Sequence, residues 1–456
     1  MMPKVPVELT DYIIDFLHKD ARTLAACALV CRAWTPAARF HLFRAVVLQD
    51  HGFVSSFQRL LGTAPDLGLY VRELTVAKFV TVSSVFLPAK PPLSVAESIP
   101  RVLRQLPHLR ALTLAHMDLK SGDGNTNLRV LHHPTLAELS CSYCQFTDFA
   151  DLVDLVHAFP ALSTLSIAGL TWKEEARHPE VRPLPATLRR LVLGREVDSE
   201  RLFEWLLAAG AHASVTSLSA RCASERDSDL VGPFLKAAGP VLRELELDWS
   251  FTGDKSTSDP SFPSRPPSFL LYPFHSRDPD ISVFQQPCPQ LCGGGRLQTL
   301  NARCPCLGKE GVGESVQRQT CSGADRRSFL CSCSVAIGLP ATISLAECTA
   351  LESLKLQFPV HYSTAVPWVP ALLATLDSPS IRRVALEVRL LGSVDALEWA
   401  ELNKVLGTPA FRSLETIAVD VNLWPGVHKD VAEVEGIVRT RLRPFEAKGM
   451  VRFGKV

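Results

Sequence analysis

Residues 188–193 read LRRLVL, residues 215–220 read VTSLSA and residues 242–247 read LRELEL. In each, the fourth and sixth positions are apolar, the two-residue spacing of a strand with one buried face. The same spacing extends toward the N-terminus at Leu162/Leu165/Ile167, Leu136/Leu139/Cys141, Leu109/Leu112/Leu114 and Val71/Leu74/Val76. Toward the C-terminus it returns at Leu351/Leu354/Leu356, Ile381/Val384/Leu386 and Leu414/Ile417/Val419. From Leu109 to Leu242 every interval is 26 or 27 residues. One such match is weak in a leucine-rich chain, but five nearly equal steps in succession mark a repeat. Between the strands lie apolar residues at helical spacing, such as Phe149, Leu152, Leu155 and Val156, or Leu202, Phe203, Trp205 and Leu206. The expected class is therefore α/β, a solenoid in which each unit supplies one strand and one helical return.

With the leucines turned inward, the intervening strand residues share one open face, where stacked repeats usually meet a partner. The residues expected to bind a target there are Arg189, Arg190, Arg243, Glu244, Glu246, Lys355, Arg382 and Arg383. The Arg189-Arg190 and Arg382-Arg383 pairs would suit an anionic group, since a guanidinium fork matches carboxylate and phosphate oxygens.

One interval is anomalous: Leu242 to Leu351 is 109 residues, about four periods. Residues 252–340 are rich in Pro, Ser, Gly and Cys and poor in helical period, so they read as an insertion and not as hidden repeats. Two explanations stay open, a disordered surface insertion and translated non-coding sequence from an incorrect gene model. Cys288-x₃-Cys292 has zinc-ligand spacing, but no second pair matches it, so no metal site is expected. The repeats then occupy residues 46–251 and 341–456.

Upstream, residues 1–45 form a separate helical cap. Pro6 suits a first helical turn, and Leu9, Ile13, Phe16 and Leu17 make one apolar stripe. Asp20 is a candidate cap for a second helix reaching to Trp34, and Thr35 for a third, with Pro36 at its start. An apolar strand, Ala45-Val46-Val47-Leu48, follows. So short a unit has little core of its own, and some of its apolar residues are expected to meet a partner.

These patterns resemble two families. The 26- or 27-residue repeat is similar to a degenerate leucine-rich repeat, without the regular Asn that strict members carry after the strand. The run Val5-Pro6-Val7-Glu8-Leu9, Ile13-Ile14-Asp15-Phe16-Leu17, Leu24, Cys27-Ala28-Leu29-Val30-Cys31-Arg32 and Trp34 resembles an F-box in the version common in fungal F-box proteins. That resemblance implies docking onto the Skp-family adaptor, and through it a cullin, with Pro6, Leu9, Ile13, Ile14, Leu17, Leu29, Val30, Cys31 and Trp34 as contact or supporting residues. Trp34 is the expected anchor, because buried aromatics dominate interface energetics. The implied role is the substrate-recognition subunit of a Skp/cullin/F-box ubiquitin ligase, holding an unknown protein substrate on the repeat surface. The alternative is an interaction scaffold that binds the adaptor without delivering a substrate.

Composition excludes other classes. The 456 residues carry 48 basic against 47 acidic side chains, a formal charge of +1, which suits neither nucleic acid nor a polybasic membrane anchor. No apolar run is long enough to span a bilayer and the N-terminus lacks a signal peptide, so the chain is expected to be intracellular, cytoplasmic and/or nuclear, with reduced cysteines. The 308–315 segment lacks the order of a phosphate loop, and neither a metalloprotease nor a hydrolase-elbow motif occurs. Cys141-x-x-Cys144 reads as core thiols because Cys141 sits at an apolar strand position, and His132-His133 reads as an exposed turn beside Pro134. No catalytic residue and no cofactor are expected.

Overall fold

The computed structural model describes residues 6–49, 51–77, 95–119, 131–172, 182–195, 197, 199–222, 225–249, 343–360, 365–424 and 430–454. The composition-biased stretch at 252–340, with its candidate zinc pair, lies outside them. No helix among the described residues is long and apolar enough to cross a membrane.

The chain opens with α1 (Val7–Asp15), α2 (Ala21–Val30) and α3 (Thr35–Phe43). Asp20 caps α2 as its sequence suggests, accepting the amide hydrogens of Arg22 and Thr23, each at 3.1 Å. The Thr23 hydroxyl and amide together hold its carboxyl below the usual carboxylate range. Two expectations need correction. The second helix stops at Val30, not Trp34, because Cys31 turns to extended backbone. Thr35 is not the cap of α3: it is already helical, and its hydroxyl donates back to the carbonyls of Ala28 and Cys31, both at 3.0 Å, closing the end of α2. His41 on α3 meets the Asp15 carboxylate at the end of α1, 2.7 Å away.

Beyond the cap, β1 (Ala45–Leu48), β2 (Glu73–Ala77), β3 (Ala111–Ala115), β4 (Glu138–Ser142), β5 (Gln145–Phe146), β6 (Thr164–Ala168), β7 (Thr171–Trp172), β8 (Arg190–Leu193), β9 (Ser217–Arg221), β10 (Glu244–Asp248), β11 (Ser353–Val360), β12 (Arg383–Leu390), β13 (Thr416–Leu423) and β14 (Val451–Phe453) follow. All but β5 and β7, which pair with each other, form a twelve-stranded parallel sheet in chain order. Between strands run α4 (His51–Thr63), α5 (Val95–Leu103), α6 (Phe149–His157), α7 (Ser199–Ala208), α8 (Glu225–Ala238), α9 (Trp368–Ala374), α10 (Trp399–Leu406), α11 (Val431–Arg441) and the short α12 (Arg443–Glu446). The class is α/β, and the strand leucines are the core: Leu139, Leu165, Leu191, Leu218, Leu245 and Leu354 are all buried.

From β1 to β13, parallel neighbours are joined the same way at each step. At the mouth of the strands one backbone carbonyl accepts two successive amides of the next unit, as Arg44 does from Arg72 and Glu73, and Arg382 from Glu415 and Thr416. The step from β10 to β11 is no exception: the Arg243 carbonyl accepts from Glu352 and Ser353 at 2.8 and 3.0 Å, and Leu245 lies opposite Leu354. The two strands that flank the long interval in the sequence are therefore neighbours in the sheet.

Side chains repeat the device. The hydroxyls of Thr135, Thr187 and Ser378 each donate to the carbonyl of a preceding unit's entry leucine, at Leu109, Leu162 and Leu351, at 2.9, 2.7 and 2.8 Å. His133 also departs from expectation. It is buried, not in an exposed turn, and its Nε2 sits 2.9 Å from the Leu106 carbonyl, while His132 stays exposed. Burial depresses its basicity below the ordinary histidine value. Cys141 and Cys144 are both fully buried, and burial pushes both thiols up, Cys144 to about 11. Neither is a thiolate at neutral pH.

Candidate functional site

Two surfaces collect the residues the sequence singles out. The first is on the helical cap. Thr10 and Ile14 are buried and Leu17 packs beside them, so α1 turns the i, i+4, i+7 face of Thr10 inward against Leu24, Cys27 and Ala38. The apolar stripe of Leu9, Ile13 and Phe16 consequently faces solvent, together with Tyr12, whose ring meets that of Phe16 edge to face at 4.8 Å. At the end of α2, Leu29 is 78% exposed and Val30 61%. Of the nine large apolar residues that are exposed among the described residues, these six lie in the first thirty positions. The surface is concentrated there, where a solvated helix face would be polar.

The cap residues therefore divide into two sets. Pro6, Leu9, Ile13, Leu29, Val30 and Cys31 are exposed. Ile14 is fully buried, and Leu17 and Trp34 pack on the same small core, so these three support the unit from within. Tyr12 is missing from the sequence-based set because a single tyrosine in an amphipathic helix looks like core.

The second surface is the polar face of the sheet. A groove of about 550 Å³ runs over β8 to β13, and five of the expected residues line it: Arg190, Glu244, Glu246, Lys355 and Arg383. Its floor is a network. The Lys355 ammonium lies 2.9 Å from Glu246 and 3.1 Å from Glu387, Gln357 donates to Glu246, and Asn422 donates to Glu387. Burial lowers the basicity of Lys355, but the hydrogen bonds and charge of Glu246 and Glu387 outweigh it, so the ammonium is held above the ordinary lysine value. Beside this, Arg221 pairs with Asp248 at 3.4 Å, and Ser217 donates to Glu244.

Arg189, Arg243 and Arg382 do not line the groove. Each stands one residue ahead of a strand-facing position, at the turn into the strand, so consecutive arginines diverge instead of forming a double grip. Arg189 donates to the carbonyls of Ala186, Leu188 and Ser214, as Arg72 does to Leu69 and Val71. Arg243 meets Glu352 at 3.2 Å, and Arg382 meets Glu415 at 3.9 Å. Conversely, Arg195, Arg221 and Arg389 belong to the groove and stand outside the sequence-based set. For Arg389 the signal existed: β11, β12 and β13 are eight residues long, and their alternation continues past the repeat template through Phe358/Val360 and Val388/Leu390.

Among the described residues, no group of three or more His, Cys, Asp and Glu side chains is placed to hold a metal ion. No family model matches the chain, and no curated protein does. Among solved structures, a similar one is the crystal structure of the Rad7 and Elc1 complex in yeast; the match is 10% identical, covers 93% of this chain and 91% of that one, and has a TM-score of 0.31. A likeness that loose carries no argument about this chain.

Proposed function

We propose that this protein is a non-catalytic substrate receptor of a cullin-based ubiquitin ligase, in which the helical cap is an F-box that docks on the Skp-family adaptor and the repeat face, of leucine-rich-repeat type, holds a protein target. One observation carries the reading. A folded three-helix unit keeps Leu9, Tyr12, Ile13, Phe16, Leu29 and Val30 in solvent while its own core is complete without them. Leaving that much apolar surface exposed is unfavourable unless a partner covers it, at about 25 cal/mol for each Å² removed from water. The work of such a receptor is positioning: it raises the effective concentration of the target near the transferring machinery and makes or breaks no bond itself.

The test is co-purification with the Skp-family adaptor, comparing the intact chain with Leu9→Asp/Ile13→Asp. Both positions are exposed, so the variant should keep the parent's helical signal and melting temperature. Capture of the intact chain and its loss in the variant is the expected result. A folded intact chain that captures no adaptor overturns the proposal. Adaptor capture without ubiquitination of any bound target in a reconstituted ligase would leave the scaffold role in its place.

A further inference from the structure

The charges of the groove are not mixed at random. It is lined by six basic and five acidic side chains, nearly balanced in sum, and the strand register orders them. Arg190 and Arg195 stand on or just after β8, and Arg383 and Arg389 stand on β12. None of these four has a carboxylate in ion-pair reach among the described residues, and the Arg195 Nε is out of solvent with no hydrogen-bond partner. The strand register sets Arg190, Ser217, Glu244, Ser353 and Arg383 in one row from β8 to β12, so Glu244 stands between two arginines, and β9 to β11 bring three carboxylates against Arg221 and Lys355. Glu246 shares the single ammonium of Lys355 with Glu387 of β12, and Glu244 has no cation in reach among the described residues.

We infer that the groove takes an extended peptide segment in which acidic residues flank a basic centre. From β8 to β12 is four strand spacings, about 19 Å at roughly 4.8 Å each. An extended chain advances about 3.3 Å per residue, so the two acidic ends stand about six residues apart. A nucleic acid or another uniform polyanion would meet five carboxylates, and a uniformly basic segment would meet the two arginine pairs. Only an alternating ligand satisfies both regions, and like-charge placement is what rejects the rest. The inference deepens the receptor reading and rests on it for the occupant being a segment of another protein.

Two fluorescein-labelled ten-residue peptides of one composition, four glutamates, two lysines and four alanines, make the probe. One carries glutamate pairs at the ends and the lysines at the centre; the other carries the lysines at the ends and the glutamates at the centre. Measured by anisotropy against the full chain at low salt, the first should bind about tenfold tighter, the worth of two or three partly exposed ion pairs. Arg190→Glu/Arg383→Glu should abolish that preference, and Arg190→Gln/Arg383→Gln, which removes charge without adding the opposite sign, should reduce it. Equal binding of the two peptides, no binding of either, or a preference that survives in both folded variants overturns the inference. Adaptor capture by the same preparations reports separately on the cap, so failure of the groove and failure of the receptor reading are distinguishable.

Discussion

The helical cap and the repeat sheet use apolar residues in opposite ways. In the sheet, the inward apolar residues of neighbouring strands lie opposite one another, as Leu245 does Leu218 and Leu165 does Leu191, and are withdrawn from water. In the cap, four residues, Ile14, Leu24, Cys27 and Ala38, make the buried cluster, while a larger apolar set stays outside. The difference teaches that an amphipathic pattern by itself does not say which side is the inside. A stripe is buried by its own chain only when that chain supplies a second layer, and three short helices supply little.

The sharpest way to test this contrast is to remove leucines from both regions. Leu354→Ala opens a cavity where β10 and β11 meet and should cost about 2–5 kcal/mol, read as a lower denaturation midpoint. Leu24→Ala, in the smaller cap cluster, should fall near the low end of that range, about 2 kcal/mol, because a thin layer relaxes more readily around the gap. Its effect should be seen first in adaptor capture, with the sheet retained. Equal losses of the whole fold from both substitutions would mean that cap and sheet unfold as one unit.

Smaller effects probe how the repeats are hooked together. Ser378→Ala leaves the carbonyls of Thr349 and Leu351 without their hydroxyl and should cost about 1–2 kcal/mol, more than an exposed serine would. His133 adds a pH dependence of defined sign. Its folded basicity lies below the unfolded value of 6.5, so the unfolded chain binds more protons as pH falls below that value. Stability from this site is present near neutrality, declines as pH falls through about 6.5 and levels off below the folded value; His133→Gln should flatten that part of the profile. At the bottom of the scale, Leu29→Ala should change stability by no more than about 0.5 kcal/mol, and a larger loss would place Leu29 inside the fold.

The sheet was legible because period-two burial repeats at a nearly fixed interval, and strand pairing then follows chain order. Hidden were the features that depend on a third dimension. Trp34 resembles an anchor because it is the largest apolar residue of the cap; it is half-buried, packed against the cluster of Ile14, Leu24, Cys27 and Ala38. His133 reads as exposed because it neighbours Pro134, but the preceding unit offers it the Leu106 carbonyl. The arginine pairs read as a double grip because adjacency in sequence resembles proximity; at the mouth of a strand, one arginine turns to backbone carbonyls or a neighbouring glutamate and the next to the groove.

A stack of like units carries a risk of slippage, since a ligand displaced by one strand meets nearly the same surface again. The eight-residue strands β11, β12 and β13 break that translational symmetry. They add a further row, Pro359, Arg389 and Asn422, that the four- and five-residue strands before them do not have. The floor thus has a wide end and a narrow end. A segment laid across the strands would meet that added row at one end only, and a shift of a single strand, about 4.8 Å, would change which of its residues do so.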